Sequence, residues 1–215
     1  MKKVILVGSI LLTVFPVYAK SQLYSDVLVG NTKSDFMAKY VERGGDSEFR
    51  FSNEASFGSS PGFGFGLGYQ LNQYFALEAR YIENGTSSII HPDEFDEGTE
   101  EKLETSSINL GARFSLPLIE GLNVSSRVGL ASWDIDVTIT DLSLLNEPFK
   151  VDRSGEDIYW SLGANYAITN DLSLGLEYSE LTMDYQNSST FSGFTTTADV
   201  ELNVNKYSLL AQFNF

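Results

Sequence analysis

The sequence predicts an all-β fold: an eight-stranded antiparallel up-and-down barrel that crosses a membrane, with four long extracellular loops and three short turns on the opposite side. Three observations carry that expectation. Apolar residues recur at every second position in a series of segments. The connections between those segments alternate between long and short. The chain also opens on the pattern of an export signal.

That opening comes first in chain order. Lys2 and Lys3 precede an apolar run over 4–15, Pro16 breaks it, and Val17, Tyr18 and Ala19 supply small or β-branched residues where a signal peptidase cleaves. The run is shorter than the roughly 20 residues of a membrane-spanning helix. The expectation is a cleaved signal peptide over 1–19 and one barrel domain over 20–215. Without the two signal lysines, 12 basic residues face 29 acidic ones, a net charge near −17. Such a surface excludes nucleic acid, whose binding depends on neutralising phosphates with Lys and Arg. The absence of cysteine removes disulfides and thiol chemistry.

The first strand, around 23–31, has the weakest pattern, with Val27 and Val29 as its outward candidates. The second begins in "PGFGFGLGYQ", where Phe63, Phe65, Leu67 and Tyr69 share one face and Gly62, Gly64, Gly66 and Gly68 the other. These glycines superficially match a dinucleotide-binding loop. That motif needs a helix to begin at its third glycine, whereas here the period of two runs through to a turn at "LNQ". Glycines at interior positions of a narrow barrel instead make room for long side chains from facing strands. The third strand returns with Phe75, Leu77, Ala79 and Tyr81 outward and Ala76, Glu78 and Arg80 inward.

The pattern then repeats. In 107–116, Ile108, Leu110, Ala112, Phe114 and Leu116 oppose Asn109, Gly111, Arg113 and Ser115. In 122–133, Leu122, Val124, Val128 and Leu130 oppose Asn123, Arg127, Gly129 and Trp133. Segments 159–167 and 172–179 alternate likewise, with Glu177 inward, and the last strand ends "KYSLLAQFNF" on Phe215. Each is about the 9–11 residues that cross a bilayer at a tilt. Short turns lie at 70–73, 117–121 and 168–171, and long loops at about 32–60, 83–105, 134–157 and 180–200. Tyr69, Tyr81, Trp160, Tyr166 and Tyr178 stand at strand ends, where interfacial aromatic girdles form. The alternation alone also fits a soluble lipocalin-type barrel with its two faces exchanged. The export signal, the terminal phenylalanine and the one-sided loop lengths favour the membrane.

The segments "GYQLNQYFALEARY", "LPLIEGLNVSSRVGLASW" and "ANYAITNDLSLGLEYS" resemble the hairpins of the OmpA-like small outer-membrane β-barrel family, over essentially the whole mature chain. The size and single-barrel form also resemble, more distantly, accessory colonisation factor-type barrel proteins. The resemblance implies a Gram-negative outer-membrane location with lipid and lipopolysaccharide around the barrel. It implies recognition by the barrel-assembly machinery through the final strand ending at Phe215. The family includes structural barrels, adhesins and narrow channels. Cell-wall anchoring, which its best-known member owes to a separate domain, is not carried over.

Counted from their turns, Glu78, Arg127 and Glu177 lie at similar depth, with Arg80, Arg113 and Lys206 within reach. A lipid-facing Arg at mid-bilayer costs roughly 2–4 kcal/mol, so these charges belong in the lumen as a structural ion-pair network of Glu78, Arg80, Arg113, Arg127 and Glu177. The resemblance implies an acid at Asn165, and its absence weakens a gate built from switching ion pairs. An eight-stranded lumen is filled by its own side chains, which argues against a constitutive wide pore.

Loop 83–105 carries eight acids, Lys102 and the only histidine, His91. Asp93, Glu94, Asp96 and Glu97 do not have the spacing of a dedicated calcium loop. His91 precedes Pro92 with no nucleophile motif nearby. The sequence therefore points to no enzyme, catalytic residue, cofactor or metal site. The expected function is a monomeric surface protein acting through its loops on a host or surface ligand, in adhesion, colonisation or surface protection. The alternative is a narrow porin-like channel for ions or small solutes.

Overall fold

The computed structural model describes residues 22–44, 47–91, 98–141, 148–191 and 194–215; the expected signal peptide, and Pro92, Asp93, Glu94, Asp96 and Glu97, lie outside them. The strands are β1 (Gln22–Gly44), β2 (Ser47–Gln70), β3 (Phe75–His91), β4 (Thr99–Ile119), β5 (Leu122–Asp141), β6 (Phe149–Ala167), β7 (Leu172–Phe191) and β8 (Phe194–Asn214). They pair antiparallel in chain order, and β8 returns to β1 to close the barrel.

The short turns are built by side chains that accept backbone protons. Asn72 Oδ1 accepts from the N–H groups of Tyr74 and Phe75 between β2 and β3. Thr169 Oγ1 does the same for Asp171 and Leu172 between β6 and β7, and Gly121 takes a left-handed φ of 81° between β4 and β5.

For about ten residues above these turns the faces are as the alternation predicts. Leu67 and Leu176 are 54% and 64% exposed, whereas Arg127 and Glu177 are 2% and 5% exposed. Apolar side chains out and charges in is the arrangement of a barrel solvated by lipid, and it excludes the lipocalin alternative. Aromatic contacts mark both rims. Phe75 meets Phe114 at 5.3 Å near the turns, while Trp160, Tyr178 and Tyr207 form a chain at 5.5 and 5.0 Å higher up.

The expected long loops are a correction. Most of 32–60, 83–105, 134–157 and 180–200 is strand, so β2 runs 24 residues and β1 23, about twice what a crossing requires. Above the membrane band the alternation persists but inverts. Trp133, Ile135, Leu181, Met183, Leu202 and Val204 point inward and are buried, while Asp134, Asp136, Glu104 and Asp184 point out. Two facing sheets in water need an apolar interior, and these residues supply it.

The upper barrel is not a continuous cylinder. Among the described residues, β2 and β3 pair only between Phe63↔Glu83 and Gln70↔Ala76, and β6 and β7 only between Tyr159↔Leu181 and Ala167↔Ser173. All four strands continue upward, paired on their other sides. The result is two four-stranded sheets, β3–β6 and β7–β8–β1–β2, separated by two seams. At the first seam, Pro61 lacks an N–H, and Gly85 is left-handed at φ 77°. At the second, continuing the register would set Glu156 directly opposite Asp184, and like charges so placed destabilise a sheet. Burial, then the carboxylates of Asp157 and Glu201, hold the Asp184 carboxyl above its ordinary value. An Asp184→Lys substitution is expected to lengthen the β6–β7 ladder. Slower amide exchange at 155–158 and 182–185 would show it; unchanged exchange would mean that charge does not hold this seam open.

Candidate functional site

The membrane-level lumen is crossed by a charged layer to which seven of the eight strands contribute. Glu78 of β3 is its centre: it accepts from Arg127 Nε at 2.7 Å and from the Tyr24 hydroxyl, with Arg113 Nε at 3.5 Å and Arg80 Nε at 3.6 Å. Arg80 bridges Asp26 at 2.5 Å and Glu177 at 2.8 Å, and Arg127 reaches Glu177 at 2.7 Å. Arg113 lies 4.3 Å over the Tyr24 ring and donates to Gln212 at 2.6 Å and Gln70 at 3.3 Å. Three carboxylates thus face three guanidinium groups, all buried. That balance is what a low-dielectric site demands, since an unpaired buried charge is expensive.

The structure brings together Glu78, Arg80, Arg113, Arg127 and Glu177, and adds two residues that sequence reasoning missed, Asp26 and Tyr24 of β1. Asn165 pairs with Gly175 below this layer, and Asp26 supplies the third acid from the opposite wall. Lys206 does not join by an ion pair. It spans the lumen from β8 and donates to the carbonyls of Phe63 and Glu83, at 3.1 and 3.0 Å. Those two residues form the last pair before β2 and β3 part, so the ammonium caps the fork of the first seam.

Above the layer a void of only about 30 Å³ separates Arg80 and Glu177 from the apolar cluster. Trp133, 1% exposed, anchors that cluster. Its indole N–H donates to Asp157 at 2.8 Å, and the same carboxylate accepts the backbone N–H of Asp184 at 3.0 Å. Asp157 therefore ties β7 to β6 across the second seam where no ladder does. Outside, Asp136 and Asp152 face each other across β5 and β6, and burial followed by that neighbour raises the Asp136 carboxyl above its ordinary value. Among the described residues, no group of three His, Cys, Asp or Glu side chains is placed to hold a metal ion.

A family model described as the outer membrane protein beta-barrel domain matches residues 4–215. No curated protein sequence matches this one at a significant level. The crystal structure of the outer membrane protein OprG from Pseudomonas aeruginosa is similar with a TM-score of 0.53 at 11% identity, over 88% of this chain and 95% of that one. The solid-state NMR structure of the outer membrane protein AlkL in lipid bilayers gives 0.50 at 13% identity, over 94% and 95%. Ail, the attachment invasion locus protein of Yersinia pestis, solved with the heparin analogue sucrose octasulfate, gives 0.44 at 10% identity, over 90% and 99%. At these identities the likeness is one of fold.

Proposed function

From the premise that this chain belongs to the outer membrane protein β-barrel family, we propose that it is a non-conducting surface protein. It acts in adhesion, colonisation or surface protection through the half of the barrel that stands above the membrane. The charged layer carries this proposal. A lumen crossed by three arginines, three acids and Tyr24, with an apolar cluster over it, supports a barrel without a continuous aqueous path. The glycine positions that could have left a gap are occupied: the space beside Gly66 holds Asp26, and that beside Gly68 holds Tyr24.

What remains available for function is the upper half, whose outer faces are largely polar and charged with exposed Phe49, Phe51, Ile90 and Phe149 among them, and whose strands extend about as far above the apolar band as through it. Such projecting hairpins on a rigid base suit recognition of a partner. In this account β8, with Phe215 just past it, also serves as the assembly signal, and the barrel works as a monomer in a shell of lipid and lipopolysaccharide. The lumen charges are structural, and the chain is not an enzyme.

Single-channel recording of the refolded protein tests the proposal. Silent planar bilayers are expected, with the folded state shown by heat-shifted gel mobility. Discrete reproducible openings would overturn it in favour of a narrow channel. A second arm shortens the β7–β8 hairpin above the Thr182↔Asn203 pair. Loss of cell or matrix binding from a still-folded barrel is expected, and unchanged binding after all four hairpins are shortened in turn would refute adhesion.

A further inference from the structure

An eight-stranded lumen ordinarily has just enough room for its own side chains. This one does not stay filled. At the top of the apolar cluster the two sheets flank a partly open cavity of about 610 Å³, within the range of small-molecule sites. Its walls are Phe36, Phe57, Leu103, Ile135, Val137 and Leu202, drawn from five strands of both sheets. Two broken ladders explain the space, because sheets freed from pairing at both edges can stand further apart than a closed hoop allows.

Asn53 and Glu54 both line the cavity. Neighbouring side chains on a strand point to opposite faces, so the cavity reaches around the free edge of β2, beside the unpaired part of β3. We propose that this chamber binds a small uncharged apolar or aromatic molecule, entering past the β2 edge.

The lining determines the class. Hydrocarbon and aromatic surface predominates, and burying a charge against it would carry a large desolvation cost. The polar residues of the lining include Glu101 and Thr99, with Asn53 and Glu54 at the β2 edge, beside the Tyr40 and Tyr185 rings. Carboxylates on a chain of net charge −15 turn away fatty acids and other anionic amphiphiles. Arg153 lies 6.0 Å from the Tyr185 ring centroid and is not among the lining residues. The floor is sealed by the Trp133 cluster and the charged layer beneath it, so the chamber holds a ligand without conducting it. This inference does not depend on adhesion.

Trp133 is a built-in reporter. Its ring stands 6.4 Å from Tyr185, and the chain has only one other tryptophan, the outward Trp160. In full-length mature Trp160→Phe protein refolded into lipid nanodiscs, N-phenyl-1-naphthylamine should quench Trp133 saturably, at about one probe per chain. Anilinonaphthalene sulfonate, of similar ring size but anionic, should bind at least tenfold more weakly. Val137→Phe and, separately, Val151→Phe, which add bulk to the chamber wall, should each weaken the neutral probe at least tenfold while heat-shifted mobility is kept. Two variants guard against one failing to fold. Quenching that never saturates, equal affinity for the sulfonate, or no effect of either folded variant would each overturn the proposal.

Discussion

Glu78→Gln is expected to destabilise the folded barrel by about 3–5 kcal/mol, the usual consequence of removing one partner from a buried charge cluster. Glu78 stands in contact with Arg80, Arg113, Arg127 and the Tyr24 hydroxyl. Without its charge, three buried guanidinium groups face two carboxylates. The excess cation is far from water, since Arg80 and Arg127 are 3% and 2% exposed, and solvent cannot screen it. Arg127→Gln alone should cost a similar amount by leaving the opposite excess. The double substitution restores a balance of two and two, so it should cost less than the two singles added together, with a coupling of about 0.5–3 kcal/mol. Urea unfolding in lipid, followed by heat-shifted mobility, measures all three. Additive losses would mean that the layer is held by packing and that its charge balance contributes little.

How much of this was legible beforehand depends on where contrast lay along the chain. The membrane band alternates bulky apolar with small or charged residues, so every inward arginine and glutamate of the layer declared its face. In β1 the inward residues are Tyr24, Asp26 and Leu28, all buried, between outward Leu23, Ser25, Val27 and Val29. Apolar side chains on both faces blur the alternation, and for that reason Asp26 and Tyr24 were missed. The upper strands carried a usable signal in Trp133, Ile135 and Val137, in Leu181, Met183 and Tyr185, and in Leu202 and Val204, all spaced by two. Their apolar face is the inner one, opposite to that in the membrane, and their outer residues are the Ser, Thr, Asn and acids typical of loops. A search tuned to apolar-out strands reads them as loop. The seams were not legible at all, because the Glu156 and Asp184 conflict exists only once the β6–β7 register is known.

The glycines of β2 supply the other large effect, and it is steric. A Cβ at Gly68 would lie 2.0 Å from Tyr24 Cζ and 2.3 Å from its hydroxyl oxygen. Tyr24 cannot simply swing aside. Arg113 covers its ring at 4.3 Å, and its hydroxyl is bonded to Glu78. Gly68→Val should therefore cost about 1–3 kcal/mol in overpacking, and about 1.5–3 kcal/mol more if the charge-assisted hydrogen bond is lost. Leu67→Val, one residue away on the lipid face, removes a methylene into a fluid surround and should change little. The decisive comparison pairs the substitution with its neighbour. In a Tyr24→Ala background the ring is gone, and Gly68→Val refills part of the space, so there it should be neutral or stabilising. Urea midpoints of the four proteins give the answer. An equal loss in both backgrounds would show that the glycine is required for its backbone. A loss confined to the tyrosine background would show that β2 is glycine-lined because β1 projects the Tyr24 ring into that strand, beside the centre of the charged layer.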